Sequence, residues 1–397
     1  MKILIWATTF GADLWSLARY LDRRGNCAVR VVLDDPATFR REGVAQLFPL
    51  ERTRLVKRRP WHRLLGVPGF RPDLTVMDNR VPLRAPSAAG LMLWHGFGWR
   101  GPNAAETDFA WLHRSVRQAF GDARVPNPRF RWQCFGPWDL GHRTEVSGLA
   151  PENCRLIGAV SHDDLRVPLD RALAQPVYPF DVVHRKTVLI APTWHYGEVF
   201  AHWGRDADLF DRLLAHLDRR EANVILRLHD SFRFPAPYRR FLDDLARRYP
   251  NVLLKFKDRH PDNFLDLQVT DVLVTNFSSI ANLFYATLRP TVHVYPVASA
   301  DEAFMERQYT VFGVREKEVE SARFVWKLPP EDHGGLLAYD FDEMMAQIDR
   351  GLDEPACCRD AAQNFLDRHM LGADGHAAER AWAAMQEVVA SARAAGR

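Results

Sequence analysis

The stretch TDVLVTNFSSIANLFYATLRP, Thr270 to Pro290, decides how the fold is read. Val272–Thr275 is a short apolar run of the kind that fills a buried parallel strand. Asn276–Ser279 turns the chain, and Ile280, Leu283, Phe284 and Leu288 then recur at helical spacing. A strand that passes through a polar turn into an amphipathic helix is half of a strand–helix–strand unit. Ser278 or Ser279 falls at the N-cap or first turn of that helix, where free backbone N–H groups and the helix dipole favour an anion. Two hydroxyls add donors suited to a phosphate, and plain helix capping is the competing explanation.

Working outward, the same order recurs. KILIWAT (2–8) reads as a buried strand, and Leu14, Leu17, Ala18 and Leu21 form a helix stripe that Gly25 stops. AVRVVLDD (28–35), DLTVMDN (73–79) and GLMLWHG (90–96) are further strands. In the second half, strands are expected at 187–194, 222–230, 251–258 and 290–297. Helix faces come from Leu209, Phe210, Leu213, Leu214 and Leu217, and from Tyr238, Phe241, Leu242, Leu245 and Tyr249. This alternation predicts an α/β protein with parallel sheets covered on both faces. At 397 residues the chain is too long for one simple core. We therefore expect two Rossmann-like domains, 1–170 and 171–375, joined through the proline-bearing stretch 165–186, with a separate C-terminal helix over 376–397.

Composition narrows the function classes. Hydrophobic residues make up 47% and charged residues 26%, ordinary for a globular protein. A net charge of +3, from 53 basic and 50 acidic residues, gives no sign of a nucleic-acid partner. The five cysteines, Cys27, Cys134, Cys154, Cys357 and Cys358, show no Cys-x-x-Cys spacing, which points to a reducing compartment rather than a disulfide framework or zinc site. The apolar start MKILIWATTF is too short for a signal peptide, and no run approaches the ~18 apolar residues of a membrane span.

Polar residues collect just past the expected strands. They are His95, then Thr193, Trp194 and His195, then His229, then Asn276, Ser278 and Ser279. Open α/β sheets bind ligands at this carboxyl edge. A histidine near its ordinary pKa of ~6.5 suits a general base for a hydroxyl nucleophile. Arg100, Arg227, a protonated His229 and the Ser278–Ser279 helix start are candidates to neutralise a phosphate. Gly96 and Gly98 keep the backbone beside His95 thin. No metal is demanded, and Asp340-Phe341-Asp342 before DEMMAQIDRGL reads as a helix N-cap rather than a metal–nucleotide motif.

Four blocks, LWHGFGWRG, APTWHYG, LRLH and TDVLVTNFSSIANLFYATLRP, stand in the order and approximate spacing of the CDP-glycerol glycerophosphotransferase family. The chain resembles that family over residues 90–300, with a weaker echo through 340–350. The resemblance implies a GT-B fold, two Rossmann-like domains facing across a cleft, the first binding acceptor and the second the nucleotide donor. It implies attack by an acceptor hydroxyl on the β-phosphorus of a CDP-alditol, with CMP leaving. It places His95 as general base and His229 as a second essential histidine. Ser278 and Ser279 would hold the donor diphosphate. Thr193, Trp194, Arg227 and Asn276 complete the expected donor site, with Gly96 and Arg100 at the acceptor and phosphate. No cofactor is implied, because the CDP-linked donor is itself a substrate. The expected partners are that donor and a lipid-linked or glycan acceptor of a bacterial surface polymer.

The chain departs from the family's pattern at several points. Asn276 stands for an Asp, Phe277 for a Tyr, Leu283 for an acidic residue, His195 for an arginine and Phe97 for a threonine, and Gly158–Asp163 lacks the usual arginine. A GT-B glycosyltransferase using a nucleotide sugar is therefore the alternative, and a non-enzymatic glycan or lipid-carrier binder a third reading. The segment 52–71 carries Arg52, Arg54, Lys57, Arg58, Arg59, Arg63 and Arg71 around Trp61, Leu64 and Leu65. It is expected either to seat the protein on an anionic membrane surface or to pack as a solvated element of its own domain. The expected location is the cytoplasm, at the inner face of the membrane.

Overall fold

The computed structural model describes residues 1–94, 97, 99–102, 110–193, 199–200, 203–295, 303–310, 313–320 and 324–396. The first half of the chain supplies β1 (Lys2–Trp6), β2 (Ala28–Leu33), β3 (Arg54–Lys57), β4 (Leu74–Met77) and β5 (Ala89–Met92). It continues with β6 (Arg100–Pro102), β7 (Phe130–Cys134) and β8 (Cys154–Leu156). The second half supplies β9 (Thr187–Ile190), β10 (Asn223–Leu228), β11 (Val252–Phe256), β12 (Val272–Thr275) and β13 (Thr291–Val294). It ends with β14 (Ala303–Thr310), β15 (Gly313–Glu320), β16 (Phe324–Trp326) and β17 (Leu336–Ala338).

Two parallel sheets result. The first has seven strands in the order β3-β2-β1-β4-β5-β7-β8, and the second has six in the order β11-β10-β9-β12-β13-β17. Strands such as β4, β9 and β12 are buried at every residue, as continuous apolar runs covered on both faces must be. Each Val, Leu or Ile removed from water there contributes about 1.5–3 kcal/mol before entropy is charged against it. β14 and β15 form an antiparallel hairpin apart from both sheets, and β16 pairs with β6.

The chain divides into two compact units, residues 1–97, 102–167 and 366–397 against residues 98–101 and 168–365. Besides placing residues 366–375, expected in the second domain, in the first unit, this differs from the expected division in two places. The C-terminal helix, Ala377–Ala395, is not separate: it packs on β5, on β7 and on the helices Val160–Leu165 and Ala12–Arg24 of the first unit. Its Glu387 accepts from Arg131 at 2.8 Å and pairs with Arg155 of the same unit. The second departure is that residues 98–101 belong to the second unit although the sequence around them belongs to the first.

Local rules explain most element ends. Gly25, at φ 73°, ends the helix Ala12–Arg24 in the left-handed conformation that a residue without Cβ adopts at little cost. Asp340 caps the helix Phe341–Asp353 by accepting from the Glu343 amide at 2.8 Å, and Glu343 accepts from Tyr339 in return. The helix after β12 stops at Tyr285, short of the expected Leu288. There the Thr287 hydroxyl takes the Phe284 carbonyl, and Leu288 turns to φ 57°. The periodicity did not disclose β3, β7, β8, β17 or the β14–β15 hairpin.

Candidate active site

In each sheet the strand order reverses once, between β1 and β4 in the first and between β9 and β12 in the second. Crevices at the carboxyl ends of such switch points are where open α/β sheets take ligands. Both switch points here are built the same way. In the second unit, Asn276 follows β12 and its side-chain oxygen accepts the Thr193 amide, beyond β9, at 2.6 Å. In the first, Asp78 follows β4 and accepts the amides of Thr8 and Thr9 beyond β1 at 3.0 and 3.1 Å, with the Thr8 hydroxyl at 2.7 Å. Asp78, 3% exposed, was missed in the sequence; an acidic residue directly after a short, mostly apolar strand was the available signal.

The turn after β12 is held under backbone strain. Phe277 adopts φ 57°, which costs a residue with a bulky side chain of order 1 kcal/mol, and packing must hold it there. The packing is aromatic: the Phe277 ring lies 4.7 Å from His293, 5.7 Å from Trp99 and 5.1 Å from Trp326. Trp99, from the 98–101 segment, is also edge-on to Tyr285 and 5.6 Å from Phe365. Behind them the Gly334 amide donates to the Tyr285 hydroxyl at 3.0 Å, which lies 2.6 Å from His293 Nε2. Burial drives the His293 pKa far below its ordinary value, so the ring beside that hydroxyl is neutral. The outcome is that Ser278 becomes the N-cap of the helix Ser279–Tyr285, yet its side chain makes no capping hydrogen bond. Both Ser278 and Ser279 are half-buried. Plain capping therefore does not account for the Ser278 hydroxyl.

His229 follows β10, the neighbour of β9, so it shares the same sheet edge. Its Nδ1 lies 2.8 Å from a carboxylate oxygen of Asp230 and 2.9 Å from the Asp230 amide nitrogen. Burial pushes the His229 pKa down to about 4; the Asp230 hydrogen bond opposes this and the charge of Lys257 adds to it. The ring is neutral at pH 7, which corrects the expectation of a protonated His229. Asp230 stays ionised: burial raises its pKa, but the His229 hydrogen bond and the charges of Lys257 and Arg233 outweigh burial.

Arg227 is a second correction. It lies inside β10 at 8% exposure, with one guanidinium nitrogen 3.0 Å from Asp266 and the other donating to the His260 carbonyl at 2.8 Å. Asp266 also takes Lys255 Nζ at 2.7 Å and the Tyr178 hydroxyl at 2.8 Å. Its pKa falls because the charges of Lys255 and Arg227 overcome the burial that would raise it. Nearby Asp262 is pushed up to about 6 by burial and by the charge of Asp266. Arg227 is committed to this buried network rather than to a donor phosphate.

The remaining expected residues fall at the edge of what is described. His95, Gly96, Trp194 and His195 lie outside the described residues, as does the side chain of Arg100 in β6. Their neighbours are anchored. Trp94 stacks on Trp132 at 5.4 Å, and Phe97 is buried in the first unit against Trp138 at 4.9 Å. The structure thus brings Thr193, His229, Asn276, Ser278 and Ser279 to one sheet edge and removes Arg227 from it. Among the described residues, no helix is long and apolar enough to cross a membrane.

No family model and no curated protein sequence matches the chain. Solved structures do. A variant of the wall teichoic acid polymerase TagF soaked with CDPG superposes with a TM-score of 0.64 at 14% identity, over 98% of this chain and 88% of that one. The UDP-GlcNAc 2-epimerase from Neisseria meningitidis bound to UDP-GlcNAc superposes with a TM-score of 0.57 at 11% identity, over 98% and 100%. The S. aureus MnaA–UDP structure gives 0.53 at 10% identity, over 96% and 95%. At such identities the likeness is one of fold. The chain has the α/β, GT-B-type fold of the wall teichoic acid polymerase TagF, the group whose sequence blocks it resembles.

Proposed function

We propose that the protein is a transferase of bacterial surface-polymer synthesis. It moves glycerol phosphate, or a related alditol phosphate, from a CDP-linked donor to a hydroxyl of a lipid-linked or glycan acceptor. The observation that carries this reading is the meeting of three of the four sequence blocks at one sheet edge: Thr193 after β9, His229 after β10, and Asn276–Ser279 after β12.

The acceptor oxygen forms a bond to the donor's β-phosphorus, the bond to CMP breaks, and His95 takes the acceptor proton. Hydroxyls of Ser278 and Ser279, with the first-turn amides of the helix Ser279–Tyr285, face charge that grows on the phosphate oxygens. His229 lines the donor site as a neutral ring, its Nδ1 held between the amide and the carboxylate of Asp230. The segment 52–71 would meet the membrane through Trp61, Leu64 and Leu65, which are 50%, 56% and 78% exposed beside Arg59.

His95→Ala should abolish transfer while CDP-alditol binding survives; full activity in that variant removes His95 as the base. The second reading, transfer of a sugar from a nucleotide sugar, is favoured by the UDP-bound and UDP-GlcNAc-bound proteins that share the fold. Calorimetry with CDP, UDP and GDP separates the two, because a preference for cytidine supports the first and for uridine or guanosine the second.

A further inference from the structure

The first unit contains a cavity away from either switch point. It holds about 570 Å³, within the range of about 300–1,000 Å³ typical of small-molecule sites. Its wall is formed by the edge strand β3, by β2, and by the helices Pro36–Arg41 and Gly43–Leu47 with the loop that follows. Phe39, Phe48 and Val67 are among its apolar lining residues; the charged ones are Arg30, Arg40 and Arg54, and no carboxylate is among them.

The placement of the arginines is the unusual part. Arg30 and Arg54 are register partners on the parallel strands β2 and β3, so their side chains leave the same face about 4.8 Å apart at the backbone. Like charges opposed in this way destabilise a sheet. Asp34, the acidic residue after β2, is already paired with Arg58 at 3.2 Å. Arg30 is steadied by the Phe70 ring, 4.4 Å away, and by the Pro68 carbonyl. Among the described residues the guanidinium groups of Arg40 and Arg54 have no hydrogen bond or ion pair. Arg30, Arg40 and Arg54 line a cavity that also has apolar walls, and a guanidinium is a fork-shaped donor that matches a phosphate. The apolar wall also continues along the chain to the surface: Val67 stands two residues beyond Leu65, which with Leu64 and Trp61 is exposed.

We infer that this cavity binds a phosphate ester carrying an apolar chain, with Arg30, Arg40 and Arg54 on the phosphate and the Phe39–Phe48–Val67 wall on the chain. The inference stands apart from the transfer reaction, since the test needs neither donor nor turnover. Full-length protein is titrated calorimetrically with monododecyl phosphate below its critical micelle concentration. Inorganic phosphate and uncharged dodecyl maltoside serve as the other two probes. One site for dodecyl phosphate is expected, at least tenfold tighter than either control. Arg40→Glu and Arg54→Glu, both at exposed side chains, should each weaken it tenfold or more, and Ala45→Phe, which fills the cavity, should remove it. No saturable binding by the wild type overturns the inference. So does equal affinity in both arginine variants. Phosphate alone binding as tightly reduces the site to an anion site and overturns the lipid class; maltoside binding as tightly overturns the role of charge.

Discussion

At the level of single residues, burial decides the state of His229. Its pKa near 4 has a directly observable consequence. In histidine-labelled protein its ring signals should titrate near pH 4 instead of ~6.5, and Asp230→Asn should lower the midpoint further, because the Asp230 carboxylate raises it. The sign for stability follows. The folded-state pKa lies below the unfolded value, so the contribution of the neutral ring is complete above pH ~6.5 and is lost as pH falls towards 4. Arg227 was misassigned because a basic residue beside a strand-end histidine looks like a phosphate ligand. Only the fold shows Asp266, 39 residues away, beneath it. Arg227→Leu should therefore act on stability, by about 3–5 kcal/mol in urea unfolding, because it leaves a buried carboxylate short of a partner. Nucleotide affinity of the folded variant should be unchanged.

Among the elements, strands with four or more apolar residues and helices with a clear stripe were legible, because burial on both faces and helical period write themselves into the sequence. β8 covers three residues and β3, at the sheet edge, has only two apolar residues between an arginine and a lysine, so neither carries such a signal. The Asp340 cap was readable because its chemistry is local. Trp99 was not, because its partners Phe277, Tyr285, His293 and Phe365 come from far along the chain. Trp99 is 1% exposed and backs the strained Phe277 turn. Trp99→Ala should cost about 3–5 kcal/mol of stability. It should also weaken nucleotide binding in the protein that remains folded, since Ser278 and Ser279 follow that turn directly. Unchanged nucleotide affinity would detach the aromatic cluster from the site.

For the whole molecule, the two-sheet α/β plan was legible, since alternating strands and helices dictate it, while the path of the chain ends was not. The helix Ala377–Ala395 buries Trp382, Met385 and Val388 and brings Glu387 to Arg131 and Arg155 in the first unit. Those arginines hold the Glu387 pKa down to about 2, with burial opposing. A folded-state pKa below the unfolded one gives a contribution that is full above pH ~4.5 and lost as pH falls through 2. A chain ending at residue 376 should expose the apolar faces of β5 and of the helix Val160–Leu165. Its first unit should then unfold at lower urea than the second, which a proteolysis time course with fragment mass analysis would show. Simultaneous unfolding of both units, at the urea midpoint of the full chain, would contradict that assignment.

The proposed transfer of an alditol phosphate from a CDP-linked donor can be read from its products. The most direct measurement incubates the full-length protein and lipid-linked acceptors with CDP-glycerol, CDP-ribitol and a set of UDP-sugars, and reads the products by mass spectrometry. Release of CMP is expected, together with an acceptor heavier by one alditol-phosphate unit. An acceptor heavier by a sugar residue, with UDP released and the CDP-alditols untouched, would contradict it.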